Sequence, residues 1–362
     1  MLDTLAYFLP LGIYLFVIFL SAVLPGKWVN GYAINPQTNQ PYRYRLNGKT
    51  VYFMILGIWA FTCYQKWVPW DLFYQVRWQT AIGACITGLL VSAWIVFSAP
   101  RKPGSSLGQD FYLGRLDNPQ WRQGKLDMKL CLYLSGAVML ILNTLSFAAH
   151  HCIMYPDHIS SGVILYTLLF SFFVTEYVIF ENVHLYTYDF LAEKVGFKLA
   201  WGCLSFYPFF YQVGLWSAAE LPDPNSSPNY LIGCAVVFFM GWILARGANL
   251  QKFSFKKDPN QNFLGFFEQR AMTSDQGKSL LINGFWGFSR HVNYLGEILM
   301  AVGLALSLGY PTFWAPWLYP VYYIFLLFPR QKDDDRRCKA KYGSLWEEYC
   351  TQVPYKIIPL IY

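Results

Sequence analysis

Leu130-Cys-Leu-Tyr-Leu-Ser-Gly-Ala-Val-Met-Leu-Ile-Leu-Asn-Thr-Leu-Ser-Phe-Ala-Ala149 runs for twenty residues without a charge. A helix of that length rises about 30 Å, which matches the hydrocarbon core of a bilayer. Runs of similar character occur at Tyr7 to Pro25, Val51 to Trp70, Thr80 to Ala99, Ser161 to Leu185, Phe197 to Ala218, Tyr230 to Ala245, Tyr294 to Leu308 and Phe313 to Phe328. The expected architecture is all-α: a polytopic membrane protein of nine or ten spans. Composition agrees, because only 14% of the 362 residues are charged and 55% are hydrophobic, against about 25% charged in soluble domains. No Lys or Arg precedes the first run, which therefore reads as a span and not as a cleaved leader.

Lys and Arg fall unevenly between the runs. Lys27, Arg43, Arg45 and Lys49 follow the first, and Arg101, Lys102, Arg115, Arg122 and Lys125 follow the third. Lys194 and Lys198 follow the fifth, and Lys252, Lys256 and Lys257 the seventh, whereas the even loops hold only Arg77. The bias assigns the odd loops to the cytoplasm. These loops account for the net charge of +7, and no basic soluble domain exists to suggest nucleic acid. The eight cysteines are scattered with no CxxC pair, which indicates neither a disulfide scaffold nor a metal site. His150-His151-Cys152 reads as interfacial solvation. The polar stretches Gly26 to Thr50, Pro100 to Lys129 and Gln251 to Lys278 are long enough to form a cap over the helix ends.

Three elements in the last third carry polar groups that a membrane chain does not place without partners. In Gln251-Lys-Phe-Ser-Phe-Lys-Lys257, Lys252 and Lys256 stand four apart on one face of a helix continuing from the seventh run. Two ammonium groups there suit a phosphate, and equally the anionic head of a lipid. In Gly284-Phe-Trp-Gly-Phe-Ser-Arg-His-Val-Asn-Tyr-Leu-Gly-Glu297, a helix from Asn293 sets Glu297 one turn deeper. Desolvation favours the protonated form of such a carboxyl, which suits an acid, although hydrogen bonding to a neighbouring helix is the plain structural alternative. The third element, Arg330 to Gly343, is a mixed-charge run with Trp346 and Tyr349 behind it, aromatic groups suited to a planar ring. Glu176 and Glu181 sit at the fifth run, about 140° apart on an ideal helix.

Taken together, these pieces resemble the sterol carbon–carbon double-bond reductases, the family of sterol C14 reductase, 7-dehydrocholesterol reductase and the fungal C24(28) reductase. The resembling segments, in order, are Gly114-Arg-Leu-Asp-Asn-Pro119, Asp127-Met-Lys129, Thr187-Tyr-Asp189, Gly196-Phe-Lys-Leu199, Gln251-Lys252, Leu281 to Glu297, Asp334 to Gly343 and Val353-Pro-Tyr355 to Tyr362. The resemblance implies about ten transmembrane helices with NADPH in a cytoplasmic pocket of the C-terminal half. It implies that Lys252 and Lys256 meet the cofactor phosphates, and that Leu281, Trp286, Asn293 and Tyr294 line the cofactor. Asp334, Cys338, Lys339, Ala340, Lys341, Tyr342 and Tyr349 would complete that pocket, with Arg290 and His291 at its turn. Glu297 stands where the family usually has Asp, and Lys256 where Arg is common. The chain then divides into N-terminal spans (1–110), substrate-side spans (111–250) and a cofactor part (251–362) of one integral membrane domain.

The implied reaction is reduction of a sterol alkene. Such an alkene is not polarised by a carbonyl, so an acid must protonate it before hydride can add. Glu297 is expected to donate or relay the proton, with Glu181 or Tyr177 orienting the sterol. The implied partners are a sterol and membrane lipid, in the endoplasmic reticulum of a eukaryote or the inner membrane of a bacterium. Three other readings stay open: an enone reductase of the steroid 5-alpha-reductase type, a membrane methyltransferase of the isoprenylcysteine type, and a silent sterol-binding protein.

Overall fold

The computed structural model describes residues 2–101, 104–274 and 277–362. Lys102, counted above with the basic loop residues, and Pro103 lie outside them. The chain forms two compact units, Met1–Asp223 and Pro224–Tyr362.

The first unit contains α1 (Leu9–Val23), α2 (Gly48–Tyr64), α3 (Arg77–Phe97), α4 (Met128–Met154) and α5 (Ser161–Ile179). At its centre lies α4, the helix of the twenty-residue run, packed against α1, α2 and α5. Its start is fixed by Asp127, whose carboxylate accepts the Leu130 N–H at 3.0 Å, the usual cap for an orphan donor. Among the described residues, four helices are long and apolar enough to cross a membrane: α3, α4, α5 and α6 (Pro228–Lys257). Shorter apolar helices are α1 and α7 (Val292–Ser307). Outward faces expose Phe19, Leu90, Trp94, Leu168, Ile232 and Met240, a surface suited to lipid and not to water.

The sixth run departs from the expected single span. It breaks into Phe197–Trp201, a π-turn at Gly202–Phe206, Tyr207–Phe210 and Val213–Ala218. Pro208 is the cause: it has no N–H for the Leu204 carbonyl four residues back. The Tyr14 hydroxyl donates to that carbonyl instead. The Pro208 carbonyl itself accepts from Asn143 at 3.0 Å and Gln212 at 3.1 Å.

The polar stretches are not purely helical or irregular either. Strands β1 (Lys27–Asn35) and β2 (Gln40–Leu46) form an antiparallel hairpin with Asn30 opposite Arg43. It buries Tyr44 against Leu185 and Phe190. From β2 and the turn after it, Arg45 donates to the carbonyls of Ser21 and Ala22, and Asn47 to those of Ser21 and Leu24. The open C-terminal end of α1 is thereby satisfied. A second small pair joins β3 (Gln120–Trp121) to β4 (Leu126–Asp127).

Segments that are distant in sequence meet in this unit. Lys129, fully buried, donates to the carbonyls of Asp189 and Phe190, both at 3.1 Å. Arg115 pairs with Asp110 at 2.9 Å and caps α3 through the carbonyls of Val96 and Ala99. Gly114, at φ +94°, lies against Val195 and Gly196, where a Cβ would meet backbone at 2.3 Å.

In the second unit, Ser227 caps α6 and Pro228 occupies its first turn. A hairpin of β5 (Ala271–Thr273) and β6 (Ser279–Leu281) precedes α7. Then come α8 (Leu318–Tyr342), α9 (Ser344–Gln352) and a tail to Tyr362. Helices α6 and α7 approach backbone to backbone at their glycines: a Cβ on Gly296 would lie 2.4 Å from Ala245 N, and one on Gly241 2.6 Å from the Gly296 carbonyl. Nothing but glycine fits at either position.

Candidate functional site

The second unit carries most of the residues singled out in the sequence. Helix α6 does continue through Lys252 and Lys256. Between them and α7 lies the turn Asn283–Trp286, held down by the buried Gln251, which donates to the Asn283 carbonyl at 3.2 Å and accepts from the Phe285 N–H at 3.0 Å. Gly284 at φ +65° leaves room for that clamp. Trp286 then donates its indole N–H to the Ala248 carbonyl at 3.0 Å. The Lys252 ammonium stands 5.6 Å from the centre of the Trp286 ring, a cation–π distance.

Tyr349 of α9 donates to the Trp286 carbonyl at 2.8 Å. It belongs to an aromatic cluster with Trp346 and Val353, against which Cys338, Tyr342, Leu280 and Ile282 pack. Leu281 is buried in β6. Lys256 donates to the Ser279 carbonyl at 3.2 Å and lies 3.5 Å from the Tyr342 hydroxyl. Lys252, Lys256, Trp286 and Tyr342 therefore form a basic, aromatic-walled patch, with the buried Tyr349 bonded to Trp286. Lys339 and Ala340 lie on the exposed side of α8, with Lys339 paired to Glu347 at 3.0 Å. The Lys341 carbonyl accepts from Lys278 at 2.7 Å.

Arg290 and His291 are both held from α8 by acids. Arg290 donates to the carbonyls of Val353 and Pro354 and lies 3.5 Å from Asp335. His291 Nε2 is 3.0 Å from Asp335 Oδ1, and its Nδ1 is 3.6 Å from Asp334. Together they bind the tail to α8. Burial pushes the Asp335 carboxyl up, but His291 and Arg290 outweigh it and hold the group below its ordinary value. Burial, reinforced by Asp334, pushes the Cys338 thiol up to about 12, so this cysteine is no thiolate nucleophile near neutrality. The Tyr349 phenol is also raised by burial, which keeps it a donor.

Asn293 and Glu297 lie one turn apart in α7, as the spacing predicts. Asn293 Nδ2 is 3.5 Å from Asn249 Oδ1, and its own Oδ1 is buried without a hydrogen-bond partner. Tyr294 stacks on His291. Glu297 is not alone in its apolar setting, because Arg246 Nη1 of α6 lies 3.1 Å from its Oε1.

Sequence reasoning missed Arg246. The apolar run was closed at Ala245, one residue short, and an arginine at the end of such a run was itself a signal. Asp335 was also missed; its neighbour Asp334 was singled out, but helix geometry directs Asp335 to the Arg290–His291 pair.

Glu181 and Tyr177 belong to the first unit. They line a small cavity with Tyr133, His184 and Phe190. Glu181 Oε2 accepts the Gly48 N–H at 3.2 Å. The His184 ring stacks on Tyr177 at 3.8 Å, and its Nε2 lies 2.9 Å from the Tyr177 carbonyl.

The model of the ergosterol biosynthesis ERG4/ERG24 family matches residues 2–362. The Delta(14)-sterol reductase of Arabidopsis thaliana is 29% identical over 352 residues, covering 94% of this chain and 91% of the plant protein. Delta(14)-sterol reductase erg24 of Schizosaccharomyces pombe is 30% identical, over 93% of this chain and 80% of its own. Delta(14)-sterol reductase TM7SF2 of Mus musculus is 32% identical over 79% of this chain and 68% of the mouse protein. With a match over its whole described length and relatives aligned over most of theirs, this membrane protein belongs to the ergosterol biosynthesis ERG4/ERG24 family.

Proposed function

We propose that this protein is an NADPH-dependent sterol reductase that protonates a carbon–carbon double bond and then adds hydride. Family membership and the Delta(14)-sterol reductase relatives support an oxidoreductase acting on a sterol double bond. The observation that carries the finer reading is the pairing, on one face of α7, of a buried acceptor without a donor and a carboxyl one turn deeper: Asn293 Oδ1 and Glu297.

The residues of the second unit fit a phosphorylated nicotinamide dinucleotide. Lys252 and Lys256 offer ammonium groups to phosphate, Trp286 offers aromatic surface with Tyr349 holding its carbonyl, and Asn293 Oδ1 suits an amide N–H. When bound, the cofactor supplies the hydride. Glu297 gives its proton to one alkene carbon; the π pair forms the new C–H bond, and the other carbon becomes a carbocation ready to accept hydride. The apolar walls of α6 and α7 exclude the water that would quench the cation.

The test uses purified protein with NADPH, a sterol carrying an isolated alkene and, separately, a steroid enone. Reduction of the alkene is expected. Reduction of the enone alone would replace this reading with the 5-alpha type. Glu297→Gln is expected to abolish turnover while leaving NADPH binding; retained turnover would remove Glu297 from the chemistry.

A further inference from the structure

We infer that Arg246 is the positioning residue for the acid Glu297, fixing its carboxyl where α6 and α7 are closest and meeting the charge left there when the proton goes. The inference rests on the acid role proposed for Glu297 and adds a second residue to that site.

The placement follows from the helix contact. Gly241 and Ala245 of α6 meet Gly296 of α7 backbone to backbone. Arg246 follows Ala245 directly and Glu297 follows Gly296, so the two long side chains leave the point of tightest approach together. Their contact, Nη1 to Oε1, is 3.1 Å, with side chains only 12% and 18% exposed. From α8 the Tyr323 phenol stands in electrostatic range of Glu297, with Tyr319, whose hydroxyl donates to Tyr323 at 3.0 Å, and Tyr322 beside it.

Chemistry gives the pair a purpose. An unactivated alkene is a weak base, so its proton donor must be able to bear the negative charge that remains. A carboxyl in a purely apolar pocket is badly suited to that, because burial penalises the carboxylate. A guanidinium already in place offsets the penalty and needs no reorganisation as the charge develops. In the proton-transfer step the Glu297 O–H bond breaks, its pair stays on the carboxylate beside Arg246, and the alkene π pair makes the C–H bond. Water restores the proton after the product leaves.

Arg246→Met, Arg246→Lys and Glu297→Gln would be compared with wild type in detergent for kcat, KM for sterol, the solvent deuterium isotope effect on kcat, and NADPH affinity by calorimetry. Arg246→Met is expected to lower kcat about 100-fold, with sterol KM and NADPH Kd within about threefold of wild type and a larger isotope effect, since proton transfer becomes limiting. Arg246→Lys is expected to restore kcat only in part, to about a tenth of wild type, because it keeps the charge but loses the fork geometry. If Arg246→Met does not fold, the Arg246→Lys isotope effect still decides the matter: a rise supports the positioning role, and a wild-type value with wild-type kcat overturns it. An Arg246→Met enzyme with unchanged kcat and isotope effect also overturns it, while Glu297→Gln is inactive. An active Glu297→Gln enzyme instead removes the acid reading itself.

Discussion

The Tyr349 hydroxyl donates to the Trp286 carbonyl at 2.8 Å, tying the last helix to the turn that presents the indole to Lys252. Both ends of the bond are held independently, Trp286 by Ala248 and Tyr349 by its aromatic cluster. Tyr349→Phe removes the donor and leaves a sheltered carbonyl, at a cost of about 1–3 kcal/mol. The expected result is NADPH affinity weakened about tenfold or more, with the α6–α7 core unchanged. Calorimetric titration checks this, and an unchanged Kd would show that the bond does not shape the cofactor surface.

The two lysines of α6 lead to a different readout. If they meet phosphates, Lys252→Ala and Lys256→Ala should each weaken NADPH binding and flatten its dependence on salt, since each removes one charge contact. Lys256 donates to the Ser279 carbonyl and lies near Tyr342, so its loss should also loosen the β5–β6 hairpin. A Lys252→Ala protein with wild-type affinity and salt slope would assign that lysine to lipid heads instead.

Asp335 sets an acid limit. Its folded carboxyl lies below the ordinary value of 3.8 because His291 and Arg290 outweigh the upward push of burial. A depressed carboxyl contributes stability that is present above the unfolded pKa and lost as pH falls through the folded one. Asp335→Asn should therefore melt lower than wild type at neutral pH, and the gap should close as pH drops below about 4. A gap constant across that range would mean that the charge on Asp335 is irrelevant to tail docking.

In the first unit, Lys129→Met tests the polar anchor between α4 and the Asp189–Phe190 segment. Lys129 holds two carbonyls at 3.1 Å from a fully buried position, and methionine would withdraw its ammonium from both. Destabilisation of roughly 3 kcal/mol is expected, read as a lower unfolding temperature in detergent. A variant as stable as wild type would mean that these carbonyls find other donors.

Gly296→Ala separates packing from chemistry at α7. The added methyl would lie 2.4 Å from Ala245 N, and backbone cannot yield as a side-chain tip can. Helix α7 must shift, at a cost of roughly 1–3 kcal/mol, and Glu297 shifts with it away from Arg246. Lower stability together with lost turnover is expected. Full activity would show that the 3.1 Å contact tolerates displacement.

The sequence alone determined the helical membrane architecture, because apolar length is read directly from the chain and each spanning helix satisfies its own backbone. It located the residues from Gln251 to Tyr349 that the second unit brings together, since helical spacing places Lys252 with Lys256 and Asn293 with Glu297. Long-range contacts were a different matter. The break in the sixth run depends on Tyr14 reaching the carbonyl that Pro208 orphans, and the charge partner of Glu297 depends on two glycine-lined helices meeting one residue before Arg246. Those relations join residues 190 and 51 positions apart, and only tertiary packing decides which polar groups become partners at such separations: burial demands that each find one, and the fold determines which.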